Sequence, residues 1–535
     1  MRPRARTFPR LPALLVAALA VAAILAPNGS TSRPAATRAV VGFHSNRELT
    51  RALSLFPGAK IVRRLPNMKT VEVELPGRAG DLEGLPGIAY SQTPRERTTK
   101  VEPALATALR PGLPYEWQYV ATRENEVPAD VLRAASAVTI AVVDTGADVT
   151  HPDLAAKWPE TWDVVHHRTA VADKDGHGTF VSALAAGSVT NAEGIAGFGG
   201  DAQLLMVKAV GASGSFSDVD EAAAIVYAVD HGAKIINLSL GGVGASELEE
   251  RAIDYAAEHD VLLVAAAGNE YTSGNPLEYP AAALQPPGSN GQGGVGLSVA
   301  ASTMAGSRAS FSNTGSHISL AAPGENVFGA IAAGSSRMWW PRARLPGSHA
   351  GLYGWSSGTS FATPEVAGAA ALVWAANPAL TAEQVAAIFK STASGGTRWN
   401  PRLGFGVIDV AAAVAAARGQ QVAPRVRAGS WLTFRRVRSR DLRSSRRPVR
   451  RPLRALRLAV HLRTSAPVVT PDYRTITLQV RRGGRWHRLA RTTTRRGGEI
   501  HWTFGLRPGR YVLRAVYRGR WDLHAAIRLR PVRVR

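Results

Sequence analysis

The chain has 535 residues, which is too long for a single hydrophobic core. Hydrophobic residues make up 45% of the chain, which is too high a fraction for a largely disordered protein. It contains no cysteine, so disulfide bonds, thiolate metal sites and a cysteine nucleophile are excluded. The net charge of +24 is uneven: residues 1–110 carry +10, residues 111–420 carry −13 and residues 421–535 carry +27, which predicts an acidic middle and a strongly basic tail as distinct units.

A basic head and an apolar segment open the chain. Four arginines within the first ten residues precede the apolar run from Leu11 to Ala26. This pattern predicts a secretory signal peptide over residues 1–26, and therefore a secreted protein that is extracellular or associated with the cell surface. The run is shorter than the roughly 20 residues of a membrane-spanning helix, so an uncleaved anchor is the alternative. No later segment predicts a transmembrane helix in the mature chain.

Residues 38–94 predict a small α+β unit with the order β-α-β-β-α-β. The strand patterns lie at 38–43, 60–65, 70–75 and 88–90, and the helical ones at 46–55 and 82–85. The following interval, 95–111, is polar and contains proline, which is typical of a linker and of a site of proteolytic release.

Residues 112–420 predict an α/β domain. Short apolar strand patterns alternate with helical ones; the first strand ends at Asp144, and the last long helix spans Ser360–Asn377 with small apolar residues on every side. This alternation predicts a parallel sheet with helices on both faces. Further strands are predicted at 204–209, 235–240, 261–267, 296–300 and 318–321.

The composition changes after residue 420. Residues 421–452 are rich in arginine and predict a linker. Residues 453–535 contain short strands at regular spacing, separated by glycine-containing turns, which predicts an all-β sandwich. Arginine alternates with apolar residues in these strands, so we expect it on the exposed faces.

Three short segments carry reactive side chains beside small residues. They place Asp144 in 142–146, His177 in 175–179 and Ser360 in 358–364. A serine becomes a nucleophile when a base takes its proton, histidine titrates near neutral pH, and an aspartate orients the histidine. Each segment alone is typical of a turn or a helix cap. Together, and with Asn269 in a fourth segment, they predict a serine protease.

These motifs, with His-Pro-Asp-Leu at 151–154, are similar to those of the subtilisin family, peptidase S8, over roughly residues 112–415. The resemblance implies a catalytic triad of Asp144, His177 and Ser360, with Asn269 donating to the oxyanion. The unit 38–94 resembles the inhibitory propeptide of such proteases. The family therefore implies an endopeptidase that acts on proteins or peptides through an acyl-enzyme, and that is made as an autoprocessed precursor.

The resemblance also implies a substrate cleft, whose two edges hold an extended peptide as an added strand. The residues implied are Gly214, Ser215, Ser239, Leu240 and Gly241 for the edges, and Ala266 and Gly268 for the primary specificity pocket. Glu278 falls near the floor of that pocket, which gives the hypothesis of Arg or Lys at the cleaved position. The alternative is a solvated loop glutamate.

A calcium site is implied at Asp153 and Asn191, with backbone carbonyls of the loop 189–195 completing an oxygen cage. Glu193 stands where relatives carry an apolar residue, so the presence of calcium is left open. Three other residues depart from the family pattern: Phe361 replaces a methionine, Glu365 a histidine and Phe180 a second histidine.

The basic tail predicts attraction to polyanions such as nucleic acid, teichoic acid or anionic lipid surfaces. Docking on the acidic middle domain and a genomic bias toward arginine are the alternatives. No reader of specific nucleic-acid sequences is recognisable. Two other functions stay open: a non-catalytic surface-binding protein, and a processing enzyme that matures one partner protein.

Overall fold

The computed structural model describes residues 37–99, 116–191, 194–211, 214–335, 351–421, 430–441, 454–464, 475–494, 499–506, 509–517 and 526–534. The predicted signal peptide, residues 1–26, lies outside these ranges. Within them, no helix combines the length and the apolar character needed to cross a membrane.

The N-terminal unit is an antiparallel sheet with one helix, in the order β1 (Thr37–Phe43), α1 (Asn46–Ser54), β2 (Lys60–Leu65), β3 (Thr70–Leu75) and β4 (Ile88–Gln92). The strands lie side by side as β2-β3-β1-β4. Helix α1 begins after Ser45, whose side chain accepts a hydrogen bond from the Glu48 amide. In place of the second predicted helix there is one 3₁₀ turn, Ala79–Leu82. Strand β5 (Glu96–Thr99) then lies within the interval predicted as a linker.

The middle of the chain forms the predicted α/β domain. Its strands are β6 (Thr139–Asp144), β7 (Glu160–Asp163), β8 (Gln203–Lys208), β9 (Ser215–Ser217), β10 (Ile235–Leu238), β11 (Leu240–Val243), β12 (Leu262–Ala266), β13 (Glu278–Tyr279), β14 (Gly296–Ser302), β15 (Leu320–Pro323), β16 (Val327–Ala330) and β17 (Tyr353–Ser356). Its helices are α2 (Trp117–Thr122), α3 (Ala129–Ala134), α4 (Pro152–Ala155), α5 (His177–Ala186), α6 (Asp218–Asp230), α7 (Glu247–Glu258), α8 (Ala281–Leu284), α9 (Thr359–Ala376), α10 (Ala382–Thr392) and α11 (Val410–Ala417).

A seven-stranded sheet of order β15-β14-β12-β10-β6-β8-β7 carries this domain, and every neighbouring pair is parallel. Successive residues of β6 face opposite cores: Ile140 and Val142 pack with α5 and α9, whereas Ala141 and Val143 pack with α6 and α7. Helix α9 is buried from Thr359 to Trp374, as its small apolar residues on every side predict. The predicted fold class is confirmed.

The C-terminal unit consists of two antiparallel sheets, β18-β19-β22 and β21-β20-β23-β24, over one shared hydrophobic core. The strands are β18 (Ser430–Asp441), β19 (Arg454–Thr464), β20 (Thr475–Arg482), β21 (Arg485–Thr493), β22 (Glu499–Leu506), β23 (Gly509–Tyr517) and β24 (Ala526–Val534). Strand β18 pairs with β19 inside the interval 421–452, where the sequence predicts a linker. That boundary is corrected: the frequent arginines hide a strand pattern that belongs to the sandwich.

Candidate active site

Asp144 and His177 meet at the carboxyl end of β6, near the middle of the parallel sheet. Both side chains are fully buried, and His177 Nδ1 donates a hydrogen bond to Asp144 Oδ1 over 2.7 Å. His177 is the first residue of α5, and Gly178 follows it. A Cβ atom at Gly178 would lie 2.1 Å from the carbonyl oxygen of Gly146, so only glycine lets helix and loop approach this closely.

A second carboxylate, which the sequence motifs do not single out, holds the loop before His177. Asp173 Oδ1 accepts hydrogen bonds from Thr145 Oγ1 over 2.9 Å and from the Gly176 amide over 2.8 Å. Its Oδ2 accepts from the amide and the hydroxyl of Thr179, over 2.8 and 2.7 Å. Burial raises the pKa of Asp173. The network ties the loop to the start of α5 and to the residue after Asp144.

Ser360 lies in the first turn of α9, where backbone amides have no partner within the helix. It is fully buried, and its Oγ makes no hydrogen bond among the described residues. Its carbonyl oxygen accepts a hydrogen bond of 2.8 Å from Ser239 Oγ. Phe361 fills the space beneath: its ring lies 4.6 Å from that of Phe180 and 5.7 Å from that of His177. Two of the three departures from the family pattern thus pack together behind the histidine.

Asn269 follows β12 and lies beside the start of α9. Its Oδ1 accepts hydrogen bonds from the Thr359 amide over 2.9 Å and from Thr359 Oγ1 over 3.0 Å. Thr359 Oγ1 in turn accepts from the Gly268 amide over 3.2 Å. These bonds fix which way the amide group points, next to the residue that precedes Ser360.

The predicted cleft edges are occupied by a segment of the chain itself. Strand β5 lies between β9 and β11 in an antiparallel sheet of order β13-β11-β5-β9. Thr98 is opposite both Ser215 and Gly241, and Thr99 is opposite Leu240. Gly214 precedes β9 and Ser239 precedes β11, so all five predicted edge residues lie along the occupied groove.

Two carboxylates lie next to the predicted specificity pocket. A Cβ atom at Gly268 would be 2.8 Å from Glu278 Cγ and 2.8 Å from Glu270 Oε2. Glu278 is buried in β13, rather than solvated in a loop, and Ala266 is buried at the end of β12. Glu270 accepts a hydrogen bond of 2.6 Å from the Asn269 amide. Sequence reasoning missed Glu270, although its position directly after Asn269 was a usable signal.

The proposed metal ligands, Asp153 and Asn191, lie in contact. Asn191 Nδ2 donates to Asp153 Oδ1 over 3.1 Å, and the Ile195 amide donates to Asp153 Oδ2 over 3.2 Å. Burial raises the pKa of Asp153, so the carboxylate would gain from a cation beside it. A buried carboxylate next to an amide fits an oxygen-donor site. The described residues contain no group of three acidic, histidine or cysteine side chains that could hold a metal, and Glu193 lies outside them.

Comparisons with known proteins agree with this geometry. The model of peptidase S8, the subtilase family, matches residues 135–406. An alkaline protease of Alkalihalobacillus alcalophilus is 31% identical over 68% of this chain and 88% of its own length. Thermitase of Thermoactinomyces vulgaris is 38% identical over 49% of this chain and 85% of its own length.

A solved structure shares the fold at low identity. Fervidolysin from Fervidobacterium pennivorans superimposes with a TM-score of 0.60 at 19% identity, over 95% of this chain and 92% of that one. The chain belongs to the subtilase family of serine proteases. It is a serine endopeptidase, so the alternative of a non-catalytic surface-binding protein is set aside.

Proposed function

We propose that this protein is a secreted endopeptidase made as a self-inhibited, autoprocessed precursor. One observation carries the proposal: strand β5, directly after the N-terminal unit, fills the groove that leads to Ser360. A peptide bound as an added strand between two edges is how a protease holds a substrate for cleavage. A segment of the same chain in that place blocks other substrates until it is cut and released.

The geometry of the site supports the following catalytic roles. Ser360 Oγ attacks the substrate carbonyl while His177 takes its proton, and Asp144, bonded to Nδ1, keeps Nε2 available as the base. The oxyanion forms at the amino end of α9, where the Asn269 side chain and backbone amides stabilise it. His177 then protonates the leaving amine, and water hydrolyses the acyl-enzyme on Ser360.

The register of β5 supports a cleavage site. Thr99, the last residue of β5, pairs with Leu240, and Ser239, the residue before Leu240, donates a hydrogen bond to the carbonyl oxygen of Ser360. Residue 100 is a lysine. We therefore propose self-cleavage after Lys100, with Glu278 and Glu270 near the pocket favouring Lys or Arg at the cleaved position.

Polar contacts between the N-terminal unit and helices α6 and α7 support its role as an intramolecular inhibitor. Arg63 Nη1 lies 2.9 Å from Asp220 Oδ1, both largely buried. Asn67 donates to Asp230 over 2.8 Å, and the Arg251 guanidinium lies 4.7 Å from the centre of the Tyr90 ring. The opposite charges of the two units favour this docking.

Secretion, calcium and the tail complete the proposal. Residues 1–26 are proposed to direct export. Subtilases commonly bind calcium, and we propose Asp153 and Asn191 as two of its ligands in this chain.

The hairpin β20–β21 of the C-terminal unit exposes five arginines: Arg481, Arg482, Arg485, Arg488 and Arg491. Their positive charge favours binding to anionic surface polymers, without sequence-specific recognition of nucleic acid.

Mass spectrometry of the wild type and the Ser360→Ala variant, expressed side by side, tests the proposal. We expect the wild type to yield a new N-terminus at Val101 and the variant to keep its N-terminal unit attached. A Glu258→Gln variant, changed at an exposed residue of α7, serves as the matched control and should be processed like the wild type. Equal processing of wild type and Ser360→Ala would contradict autocatalytic maturation.

A further inference from the structure

An arginine is completely buried in the strand that fills the cleft. Arg97, in the middle of β5, is 1% exposed. Its Nη2 donates to the Gly244 carbonyl over 3.1 Å and to Glu249 Oε2, and its Nη1 donates to the Val243 carbonyl over 3.2 Å. Its Nε lies 3.9 Å from Glu221 Oε2. We call these four residues, Glu221, Val243, Gly244 and Glu249, the Arg97 pocket.

The Arg97 pocket belongs to the protease domain and matches a guanidinium group. Glu221 lies on α6 and Glu249 on α7, and both side chains are buried. The two carboxylates raise the pKa of Arg97 although its burial acts to lower it. A Cβ atom at Gly242 would lie 3.1 Å from Arg97 Cδ, so a glycine on β11 leaves room for the aliphatic stem. The pocket offers two backbone carbonyls and a carboxylate to the planar set of N–H donors of one guanidinium. This arrangement suits arginine better than lysine.

The pocket keeps both of its glutamates after the N-terminal unit leaves. Glu221 and Glu249 are part of the protease domain, whereas Arg97 lies before the proposed cleavage site. A substrate that binds in the place of β5 covers these carboxylates again, and covering a charged carboxylate is costly unless a cation accompanies it. A substrate with a positive charge at the place of Arg97 is therefore favoured.

We propose that the Arg97 pocket is a second specificity site, which selects substrates with arginine three residues before the cleaved position. The inference rests on the proposed protease function, with Lys100 as the residue after which the chain is cut. The substrate class is then an extended segment with Arg and Lys at these two positions, as in residues 97–100 of this chain. An enzyme that requires two basic residues cleaves proteins only at the few sites that carry both, as a processing enzyme does.

Three peptides of the form X-Thr-Thr-Lys with a fluorogenic leaving group test the proposal, with X as arginine, lysine or norleucine. The enzyme is the chain that has processed itself and released its N-terminal unit, as checked by mass spectrometry, and a fluorophosphonate probe counts its reactive serines. We expect kcat/KM for the arginine peptide to exceed that for the norleucine peptide by about 30-fold or more, because removing one partner of a buried charge pair is costly. The lysine peptide should be intermediate.

Two matched variants assign the preference to the pocket. In the Glu249→Gln variant, kcat/KM for the arginine peptide should exceed that for the norleucine peptide by only a few-fold. Glu250→Gln, at the neighbouring exposed residue of α7, should leave that ratio unchanged. Glu221→Gln should have a smaller effect than Glu249→Gln, since its carboxylate is farther from the guanidinium.

The results distinguish a failure of the second specificity site from a failure of the proposed protease mechanism. Enzyme that the probe labels but that cleaves the arginine and norleucine peptides at equal rates would overturn the second specificity site and leave the protease function intact. Enzyme that the probe does not label would overturn the proposed mechanism and the specificity site with it. The wild-type peptide series decides between them even where a variant fails to fold.

Discussion

Replacing Glu365 by glutamine should stabilise this protein at neutral pH, and the gain should grow with pH. Glu365 is fully buried in α9, and neither of its carboxylate oxygens has a hydrogen-bond partner among the described residues. Burial disfavours the charged form and raises the pKa of this carboxyl well above its ordinary value of 4.5. The folded protein therefore holds the proton more tightly than the unfolded chain does.

The sign and the size of the effect follow from this difference. The contribution of Glu365 to stability is fully present below pH 4.5, where both states are protonated, and is lost as pH rises, because the unfolded chain releases its proton first. While the folded carboxyl stays protonated and the unfolded one is ionised, the loss is about 1.4 kcal/mol per pH unit. Glutamine does not ionise, so it removes this dependence.

Urea unfolding between pH 4 and pH 8 measures the effect. The Ser360→Ala chain, with and without Glu365→Gln, avoids self-digestion during the experiment. We expect the two free energies of unfolding to differ least at pH 4 and to diverge above pH 5, with Glu365→Gln the more stable. Glu258→Gln, at an exposed residue of α7, should show no such divergence. Parallel pH profiles for the parent and Glu365→Gln would refute the reasoning.

The remaining expectations concern the active site, the N-terminal unit and the metal ligands. Asn269→Ala should lower kcat about 10²–10³-fold with little change in KM, a size measured on a subtilisin for the same kind of donor. Thr359→Val removes the hydrogen bond that Thr359 Oγ1 donates to Asn269 Oδ1, so steady-state kinetics should show kcat about 10-fold lower, again without a matching change in KM. Arg97→Met should weaken retention of the cleaved N-terminal unit about 10²-fold in a dissociation assay, because it leaves two buried carboxylates without their cation. Added calcium should raise the Tm of the parent protein and not that of Asp153→Ala, and equal shifts would argue against the proposed site.

The sequence predicted the parallel sheet because its signals are local. Each buried strand is a short apolar run, and each connecting helix has its own period, so alternation along the chain is enough to indicate the class of fold. Asp144 was predicted at the end of a buried strand in the same way, whereas His177 was indicated by its motif segment and the helix that it begins was not predicted. Ser360 was predicted in the same way from the small residues that surround it.

Contacts between distant segments were not predictable in this way. Strand β5 has four residues and is a strand only because β9 and β11 lie on either side of it, so its own sequence reads as a linker. Asp173 was missed because it lies outside the motif segments, although the five donors that it accepts from belong to four residues within segments 142–146 and 175–179. Strand β18 was assigned to a linker because arginines obscure its pattern, and its pairing with β19 comes from tertiary contacts.

The Arg97 pocket joins inhibition and specificity in one set of contacts. If the pocket selects arginine in substrates, it also retains Arg97 in the N-terminal unit after the bond at Lys100 is cut, because cleavage there changes none of the atoms around Arg97. The cut alone therefore does not free the cleft, since the contacts of Arg63 and Asn67 with the protease domain also persist. Release then requires unfolding or a further cut within the N-terminal unit, and a stronger preference for arginine makes that release slower.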